Sequence, residues 1–444
     1  MTVRYEVDAL VTGAPSANTP SANALFTNSP FTGAAAVVHR PGVLDVDGDR
    51  IAWAGAANDA PALGTGANGA TEVVTLGGLV MPGLVNTHAH TPMTLLRSVG
   101  DGLPLDRWLR EAIWPLESRM TDDDVYWGMV LGGDELLRCG VTTTCEMYRP
   151  GGPVAEAALE TGLRCVLTPT VFDRPGGPSW QDCLDEAGQL HAAVDGRDGR
   201  LSVGIGPHAA YTLPGEALVA AARVAAELGA LVQIHVAETV AEDEDVRAAH
   251  GCSTPELLAR LGVLDGRVLA AHSIWLSDDD LDLYQRHEVA VAHCPQSNGK
   301  LGSGVAKVAS MLGRGIRVGL GTDGPASNDN LDLWEELRLA PLLARAVAAD
   351  PGALTTADAL HLATRGGADA LGLDTGALEP GRLADFIRLD LTDFVTATDD
   401  AELLAHLVWA SSSRSVTDVW VGGHQVVAGG VCSTVDVVEA RRQV

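Results

Sequence analysis

Two histidines stand two residues apart in an apolar segment of sequence LVNTHAH, at His88 and His90. Alternate side chains of a strand point to the same face, so this spacing places both imidazoles where they can bind one metal ion. On its own, the pair is equally compatible with a histidine that is hydrogen-bonded inside a sheet. His235, His272 and Asp323 each lie at the end of a later apolar run, and this repetition favours a metal site.

Three imidazoles and one carboxylate suit a divalent transition ion that keeps a coordination position open for water. We expect zinc, and ferrous iron and manganese fit the same donors. The expected ligands are His88, His90, His235 and Asp323. The alternative is a two-metal centre bridged by a carboxylated lysine, but the only two lysines, Lys300 and Lys307, do not end a middle strand of the series described below. The sequence therefore favours a single ion.

Water bound to such an ion has its pKa lowered towards about 7, so the metal supplies a hydroxide nucleophile. Glu238 follows His235 by three residues and can reach a substrate atom without binding the ion. The alternative for Glu238 is a solvated glutamate in the acidic run AETVAEDED. For His272 the alternatives are a ligand, a proton donor and a packed core histidine, and we favour a hydrogen bond that orients the hydroxide. Glu238, His272 and Asp323 are thus the candidate catalytic residues.

These polar residues belong to a series of eight short apolar runs, most of which carry His, Glu or Asp within their last three residues. A helix-length segment rich in Ala and Leu follows the typical run, which predicts parallel strands joined by helical crossovers. Eight such units predict an α/β fold, a (β/α)8 TIM barrel, whose active site lies at the carboxyl ends of the strands. The runs span residues 84–90, 141–148, 164–172, 201–209, 231–238, 268–273, 289–295 and 316–324.

Outside the barrel, both ends of the chain carry strand patterns. Residues 4–12 and 43–54 alternate apolar and polar side chains, and residues 384–390 and 417–428 return to strand patterns after the last predicted helix. We expect these segments to form a small β-sandwich built from both termini, with a long loop over residues 13–34. The predicted domains are 1–80 and 381–444 for the two parts of the sandwich and 81–380 for the barrel.

The composition excludes several classes of protein. Thirty Lys+Arg against 58 Asp+Glu residues give a formal charge of −28, which excludes a basic nucleic-acid binder, and 46% hydrophobic residues are enough for a large core. No apolar stretch approaches the roughly 18 residues of a membrane span and no signal-peptide pattern begins the chain, so we expect a cytoplasmic protein without membrane partners. Seven cysteines without a C-x-x-C pair are expected to be small core residues.

Longer motifs make a family resemblance specific. These motifs are MPGLVNTHAHTPMTLLR (81–97), LPLDRWLREAIWPLE (103–117), GPHAAYT (206–212), HVAET (235–239), HCPQSNGKLGSG (293–304) and LGTDGPASNDNLDLWEELRLA (320–340). With them the chain resembles the amidohydrolase superfamily, and within it the S-adenosylhomocysteine/5′-methylthioadenosine deaminase branch, over nearly its whole length. The H-x-H pair is shared across the superfamily, whereas WLREAIWPLE together with GPHAAYT narrows the branch.

The resemblance implies a role for each matched residue. It implies the same four metal ligands as the strand-end argument, protonation of a purine ring by Glu238, and support of the attacking water by His272. It also implies that Glu117 accepts hydrogen bonds from the ribose hydroxyls, that His208 contacts the sugar, and that Arg164 approaches the amino-acid carboxylate of S-adenosylhomocysteine. A homo-oligomer, either a dimer or a tetramer, is implied as well.

The expected function is hydrolytic deamination of a small molecule, in which the 6-amino group of an adenosine-type nucleoside becomes 6-oxo with release of ammonia. The expected substrates are S-adenosylhomocysteine, 5′-methylthioadenosine and adenosine. The alternatives are a triazine, aminopurine or aminopyrimidine hydrolase on the same scaffold and a catalytically silent barrel that acts as a binding protein. The chain departs from the family pattern at Cys145-Glu146, at Arg149 and in the 13–34 loop, and loops of this architecture tune substrate choice.

Overall fold

The expected (β/α)8 barrel forms the centre of the molecule. The computed structural model describes residues 2–13, 36–63, 71–174, 177–390, 392 and 397–444. Neighbouring barrel strands pair in parallel, and the ring closes through bridges between Ile205 and Val232 and between Ala89 and Asp323. The fold class predicted from the alternation of apolar runs and helical segments is therefore confirmed.

All eight predicted runs contain strands, and two of them are interrupted. The third breaks at Thr168–Pro169, because proline has no N–H to donate to the strand ladder, and the fourth breaks at Gly204–Ile205. In chain order the eight barrel positions are Leu84–Ala89, Val141–Glu146, Arg164–Leu167 with Thr170–Val171, Leu201–Val203 with Gly206–Pro207, Val232–Val236, Val268–His272, Ala290–His293 and Val318–Leu320.

Helices cover the outside of the barrel. The first long one, Asp122–Arg138, begins where Thr121 accepts a hydrogen bond from the Asp124 N–H and Asp124 accepts one from Thr121, a capping box. The segment before it contains a π-helix, Trp108–Ile113. The other α-helices are Leu105–Arg107, Trp114–Glu117, Gly151–Thr161, Trp180–Val194, Gly215–Leu228, Val240–His250, Thr254–Arg260, Asp278–Arg286, Pro295–Lys300, Val308–Gly313, Pro325–Asn328, Leu333–Ala348, Thr356–Ala363, Arg365–Leu371, Asp400–Trp409 and Val437–Gln443.

Two further sheets form the sandwich from both ends of the chain. Tyr5 of the first sheet packs its ring against Phe386 and Trp420 of the second, with centroids 5.4 and 5.6 Å apart, so the sheets share one core. The first sheet has the order Arg50–Ala56, Gly42–Asp47, Thr2–Val7, Glu72–Thr75. The second has the order Val431–Cys432, His424–Ala428, Val416–Val421, Phe386–Leu389, Leu79–Pro82, Ala9–Thr12, Val37–His39. The predicted β-sandwich is thereby confirmed.

The predicted domain boundary near residue 80 falls inside a strand. The strand Leu79–Pro82 belongs to the sandwich, so the predicted boundary after residue 80 cuts it, and the division at 1–80, 81–380 and 381–444 stays a prediction. The predicted 13–34 loop lies, from residue 14 onward, outside the described residues.

All seven cysteines are free and buried, as expected. Of the helices in the described ranges, none is long and apolar enough to cross a membrane.

Candidate active site

Five polar side chains meet at the carboxyl ends of the barrel strands. They are His88 and His90 at the end of the first strand, His235 in the fifth, His272 at the end of the sixth and Asp323 after the eighth. Parallel pairing places these ends on one side of the barrel. The structure thus brings the four predicted metal ligands and His272 together.

Asp323 contacts the first pair of histidines directly. Its Oδ1 lies 3.3 Å from His88 Nε2 and 3.2 Å from His90 Nε2. One ligand atom from each of His88, His235, His272 and Asp323 lies within 4.8 Å of the other three. Burial raises the pKa of Asp323, but the imidazoles of His88 and His90 outweigh burial and lower it well below its usual range. Asp323 is therefore an ionised carboxylate facing imidazole nitrogens.

The surroundings of His88 show that this cluster suits a metal ion. Its Nε2 is buried and lies 3.3 Å from Asp323 Oδ1, but it forms no hydrogen bond of normal geometry with a described residue. A buried polar atom left in this state costs about 1–3 kcal/mol, a cost that coordination of an ion removes. Imidazole nitrogen and carboxylate oxygen are also ligands that zinc and similar divalent ions prefer. The residues present therefore fit a divalent ion.

Hydrogen bonds on the opposite edge of the rings hold two of the imidazoles in place. His90 Nδ1 donates to the Met147 carbonyl at 2.5 Å, and His235 Nδ1 donates to the His208 carbonyl at 2.8 Å. A carbonyl oxygen can only accept, so Nδ1 carries the proton in both rings. Nε2 of each ring is therefore the atom that can offer a lone pair to an ion in the cluster.

Glu238 lies beside the cluster, and its Oε2 is 3.9 Å from His272 Nε2. Its side chain is 3% exposed, and burial raises its pKa. The backbone at Glu238 is fixed by a hydrogen bond, in which its N–H donates to Glu242 Oε2 at 2.8 Å. The preceding residue, Ala237, has φ +49°. His272 is fixed by a 2.8 Å hydrogen bond between its Nδ1 and Asn298 Oδ1. A buried carboxyl with a raised pKa is suited to donate a proton to a bound molecule.

Two serines that the sequence did not single out complete the environment of Asp323. Ser297 Oγ donates to Asp323 Oδ2 at 2.6 Å, and Ser327 Oγ donates to the same oxygen at 2.8 Å. Both serines lie in short helices that follow barrel strands seven and eight. Their hydroxyls occupy Oδ2 and leave Oδ1 facing the histidines. The signal available in the sequence was a Ser-Asn pair shortly after each of those strands.

A cavity of about 490 Å³ opens over the cluster, with His90, His235, His272, Asp323 and Glu238 in its lining. This volume is typical of sites for small organic ligands. The opposite walls are aromatic and include Trp108, Trp114, Tyr148, Phe172 and Tyr211. The lining thus combines flat aromatic side chains with the polar groups of the cluster.

Glu117 and His208, both predicted to bind substrate, also line this cavity. The Glu117 carboxylate is 3.5 Å from Arg174 Nη1. The His208 ring lies between Phe172 and His235, with centroid distances of 4.6 and 4.7 Å. Burial lowers the pKa of His208 to about 3, so its ring is neutral and its Nδ1 pairs with a hydroxyl, that of Thr212, at 3.0 Å.

The expectation that Arg164 contacts the substrate is wrong. Arg164 begins the third barrel strand, at the end opposite the cavity, and it is not one of the described residues that line that cavity. Its guanidinium is 4% exposed and forms two hydrogen bonds with Asp385, at 2.8 and 3.0 Å, and a third with the Gly199 carbonyl at 2.7 Å. The motif match located the strand correctly, but each of the three guanidinium nitrogens already donates a hydrogen bond to a protein group.

Two other arginines line the cavity instead. Arg174 follows the third strand and lies over the Phe172 ring, 4.3 Å from its centroid. Arg149 follows the second strand and pairs with Glu186 at 2.5 Å, while its Nε is buried without a hydrogen-bond partner among the described residues. Arg149 was noted only as a departure from the family pattern, and Arg174 was missed. The signal that could have found both is their position just after the carboxyl end of a barrel strand.

Comparison with known proteins agrees with this architecture. A model of the amidohydrolase family matches residues 79–426. The chain belongs to the amidohydrolase family. Membership confirms the predicted superfamily and the predicted enzyme class, a hydrolase that acts on carbon–nitrogen bonds. Amidohydrolases of this type are metal-dependent, in agreement with the buried cluster of imidazoles and a carboxylate.

Relatives within the family include several deaminases. A 5-methylthioadenosine/S-adenosylhomocysteine deaminase of Pelotomaculum thermopropionicum is 41% identical over 392 residues, which cover 88% of this chain and 89% of the relative. A 5′-deoxyadenosine deaminase of Methanothermobacter thermautotrophicus is 41% identical over 361 residues, 81% of this chain and 84% of the relative. The crystal structure of an adenosine deaminase from Xanthomonas campestris with bound zinc superimposes with a TM-score of 0.87 and 31% identity, covering 99% and 97% of the two chains. The predicted branch of the family is therefore confirmed.

Proposed function

We propose that this amidohydrolase is a metal-dependent deaminase of adenosine-type nucleosides. One observation carries the proposal: a buried carboxyl with a raised pKa, Glu238, faces the same cavity as a cluster of metal-type ligands. Hydrolysis of an aromatic amine needs both an activated water and a proton donor for the ring. The relatives named as 5-methylthioadenosine/S-adenosylhomocysteine and 5′-deoxyadenosine deaminases support this substrate class.

The assigned metal ligands are His88, His90, His235 and Asp323. Two contacts support this choice over a set that includes His272. His88 and His90 present Nε2 to the same oxygen of Asp323, whereas His272 Nε2 lies beside the Glu238 carboxyl. When bound, the ion supplies activated water. Zinc is the proposed ion, supported by the zinc in the X. campestris neighbour.

The remaining steps use side chains of the chain itself. The buried Glu238 carboxyl donates its proton to a ring nitrogen of adenine, so that no negative charge builds up on the ring as water adds to the amino-bearing carbon. His272, held by Asn298, keeps the attacking water in position through a hydrogen bond. Asp323 accepts one proton from that water and passes it to the departing amine, and the second proton of the water returns to Glu238 as the carbonyl forms. The products are the 6-oxo purine and ammonia.

The sugar and the 5′ substituent are assigned to the outer part of the cavity. Glu117 accepts hydrogen bonds from the ribose hydroxyls, and neutral His208 contacts the sugar. Arg149 lines the cavity, and its positive charge favours an anionic 5′ group such as the amino-acid carboxylate of S-adenosylhomocysteine. We therefore rank S-adenosylhomocysteine before 5′-methylthioadenosine, 5′-deoxyadenosine and adenosine.

The test is a substrate panel with zinc-reconstituted protein. The four nucleosides are compared with guanine and an aminotriazine by ammonia release, and the nucleosides also by the absorbance change from adenine to hypoxanthine. We expect turnover of the nucleosides, highest for S-adenosylhomocysteine, and none for the free base or the triazine. Activity confined to guanine or the triazine would contradict the ribose contacts. Inactivity towards every compound in protein that binds zinc would favour the silent barrel.

Two further assignments belong with this proposal. The family resemblance favours a homo-oligomer, a dimer or tetramer, and light scattering of the purified protein tests it. A cytoplasmic location is supported by the metabolic nature of the deaminase relatives. Fractionation of the source cells tests the location.

A further inference from the structure

Gln233 is a buried side chain of the fifth barrel strand that the proposed reaction does not use. It lies two residues before His235 and is completely buried. Its amide nitrogen lies 2.9 Å from Nδ1 of His88 and donates to the Thr87 carbonyl at 3.3 Å, and its amide oxygen accepts from Oγ1 of Thr168 at 2.5 Å. In the described part of the chain it is the only hydrogen-bond partner of His88 Nδ1. Whatever state the His88 ring adopts must therefore be compatible with this amide.

The two orientations of the amide correspond to the two tautomers of His88. With the amide nitrogen towards His88, Nδ1 must accept and the ring proton is on Nε2, where it faces Asp323 Oδ1 at 3.3 Å. With the amide oxygen towards His88, Nδ1 donates and Nε2 has a free lone pair. The oxygen and nitrogen of a glutamine amide have nearly the same shape, so a half-turn of the amide exchanges them without moving other atoms.

Only the second arrangement is compatible with metal binding at Nε2. An N–H of Gln233 and an N–H of His88 cannot face each other at 2.9 Å, so a ligand lone pair on Nε2 requires the Gln233 oxygen at Nδ1. The amide nitrogen then donates to Thr168 Oγ1. The hydroxyl proton of Thr168 is free to go to the Glu146 carbonyl oxygen, 3.0 Å away. His88, Gln233 and Thr168 all keep hydrogen-bond partners in that arrangement, and the one bond it gives up is the 3.3 Å contact of the amide nitrogen with the Thr87 carbonyl.

We infer that Gln233 is a positioning residue for the metal centre, and that its side-chain oxygen holds His88 in the Nδ1–H tautomer. His90 and His235 obtain the same support from backbone carbonyls, which no substitution removes. His88 depends on a replaceable side chain. Groups that orient metal-binding histidines in this way typically change metal affinity by about 10–100-fold when they are removed.

The test measures zinc affinity by chelator competition, without substrate. Gln233→Met keeps the length of the side chain but removes the acceptor, and we expect zinc to bind about 10–100-fold more weakly. Gln233→Glu restores an acceptor of the same size, and we expect affinity near or above that of the unchanged protein. Gln285→Met is the matched control, because Gln285 is exposed and, among the described residues, its side chain hydrogen-bonds only to the Arg314 carbonyl. That variant should bind zinc normally.

The outcomes separate this inference from the proposed function on which it rests. If the Met variant does not fold, Gln233→Asn shortens the amide by one methylene and should show the same loss. Zinc affinity within a factor of two of the unchanged protein in every folded Met or Asn variant overturns the inference. Failure of the proposed function shows differently, as unchanged protein that binds no zinc or deaminates no nucleoside.

Discussion

Buried polar side chains have all their partners within the protein at one end of the barrel, but not at the other. At the amino end, Arg164 and Asp385 satisfy each other, and Asp385 also accepts from Thr375 Oγ1 at 2.9 Å and from the Gly422 N–H at 2.6 Å. At the carboxyl end, the buried Nε2 of His88 forms no hydrogen bond of normal geometry in the described ranges. A buried polar network in which every group has a hydrogen-bond partner stabilises the fold. A network whose unpaired polar atoms face one point can bind a ligand there.

Substitutions at the two ends should therefore have different consequences, and the largest is expected at Glu238. Glu238→Gln cannot donate the proton but keeps the size of the side chain. We expect turnover of the best nucleoside to fall by about 10²–10⁴-fold, with metal content unchanged. Steady-state rates and elemental analysis of the same preparation check this. A variant with full metal content and the rate of the unchanged enzyme would show that the assigned role is wrong.

At the amino end the expected loss is of stability. Arg164→Met leaves the Asp385 carboxylate buried without its partner, and we expect a decrease of about 3–5 kcal/mol in the free energy of unfolding, with KM unchanged. Urea unfolding and nucleoside kinetics measure both. Adding Asp385→Leu to this variant removes the unpaired charge and should restore much of the stability. A raised KM with unchanged stability would contradict this role and show that Arg164 contributes to substrate binding.

A smaller effect is expected where a protein hydroxyl supports the metal ligands. Ser297→Ala removes one of the two hydrogen bonds to Asp323 Oδ2. Hydrogen bonds to charged groups contribute about 1.5–3 kcal/mol, which corresponds to a loss of roughly 10–100-fold in zinc affinity. Chelator competition measures it, with Ser310→Ala on the surface as control. Equal affinity of the two variants would mean that the hydroxyl does not act on Asp323.

Away from the metal ligands, a further effect is expected in the pH dependence of stability. Burial raises the pKa of Glu242 to about 7, from an ordinary value of 4.5. The folded metal-free protein therefore binds a proton between these values that the unfolded chain has released, so this residue's contribution to stability falls as the pH rises from about 4.5 to about 7. Glu242→Gln should flatten that part of the profile. Parallel pH profiles for the two proteins would contradict the shifted pKa.

The contrast between the ends also explains what the sequence could predict. The eight barrel strands were predictable because each is an apolar run, and His88, His90, His235 and Asp323 were predictable because they lie at the ends of such runs. Which end of a strand a residue occupies decides its role, and a motif match at Arg164 carried no such information. Ser297 and Arg174 lie just after the carboxyl ends of barrel strands, a position that the sequence does indicate. Their partners and those of Gln233 lie in distant segments, which spacing along the chain does not reveal.

The central claim is that His88, His90, His235 and Asp323 hold one divalent ion. The most direct measurement is the zinc content of protein that has been stripped, reconstituted and freed of excess metal, for the unchanged chain beside Asp323→Ala and Arg164→Met. We predict about one zinc ion per chain for the unchanged protein and for Arg164→Met, and almost none for Asp323→Ala. Two ions per chain, none in the unchanged protein, or full occupancy of Asp323→Ala would contradict the account.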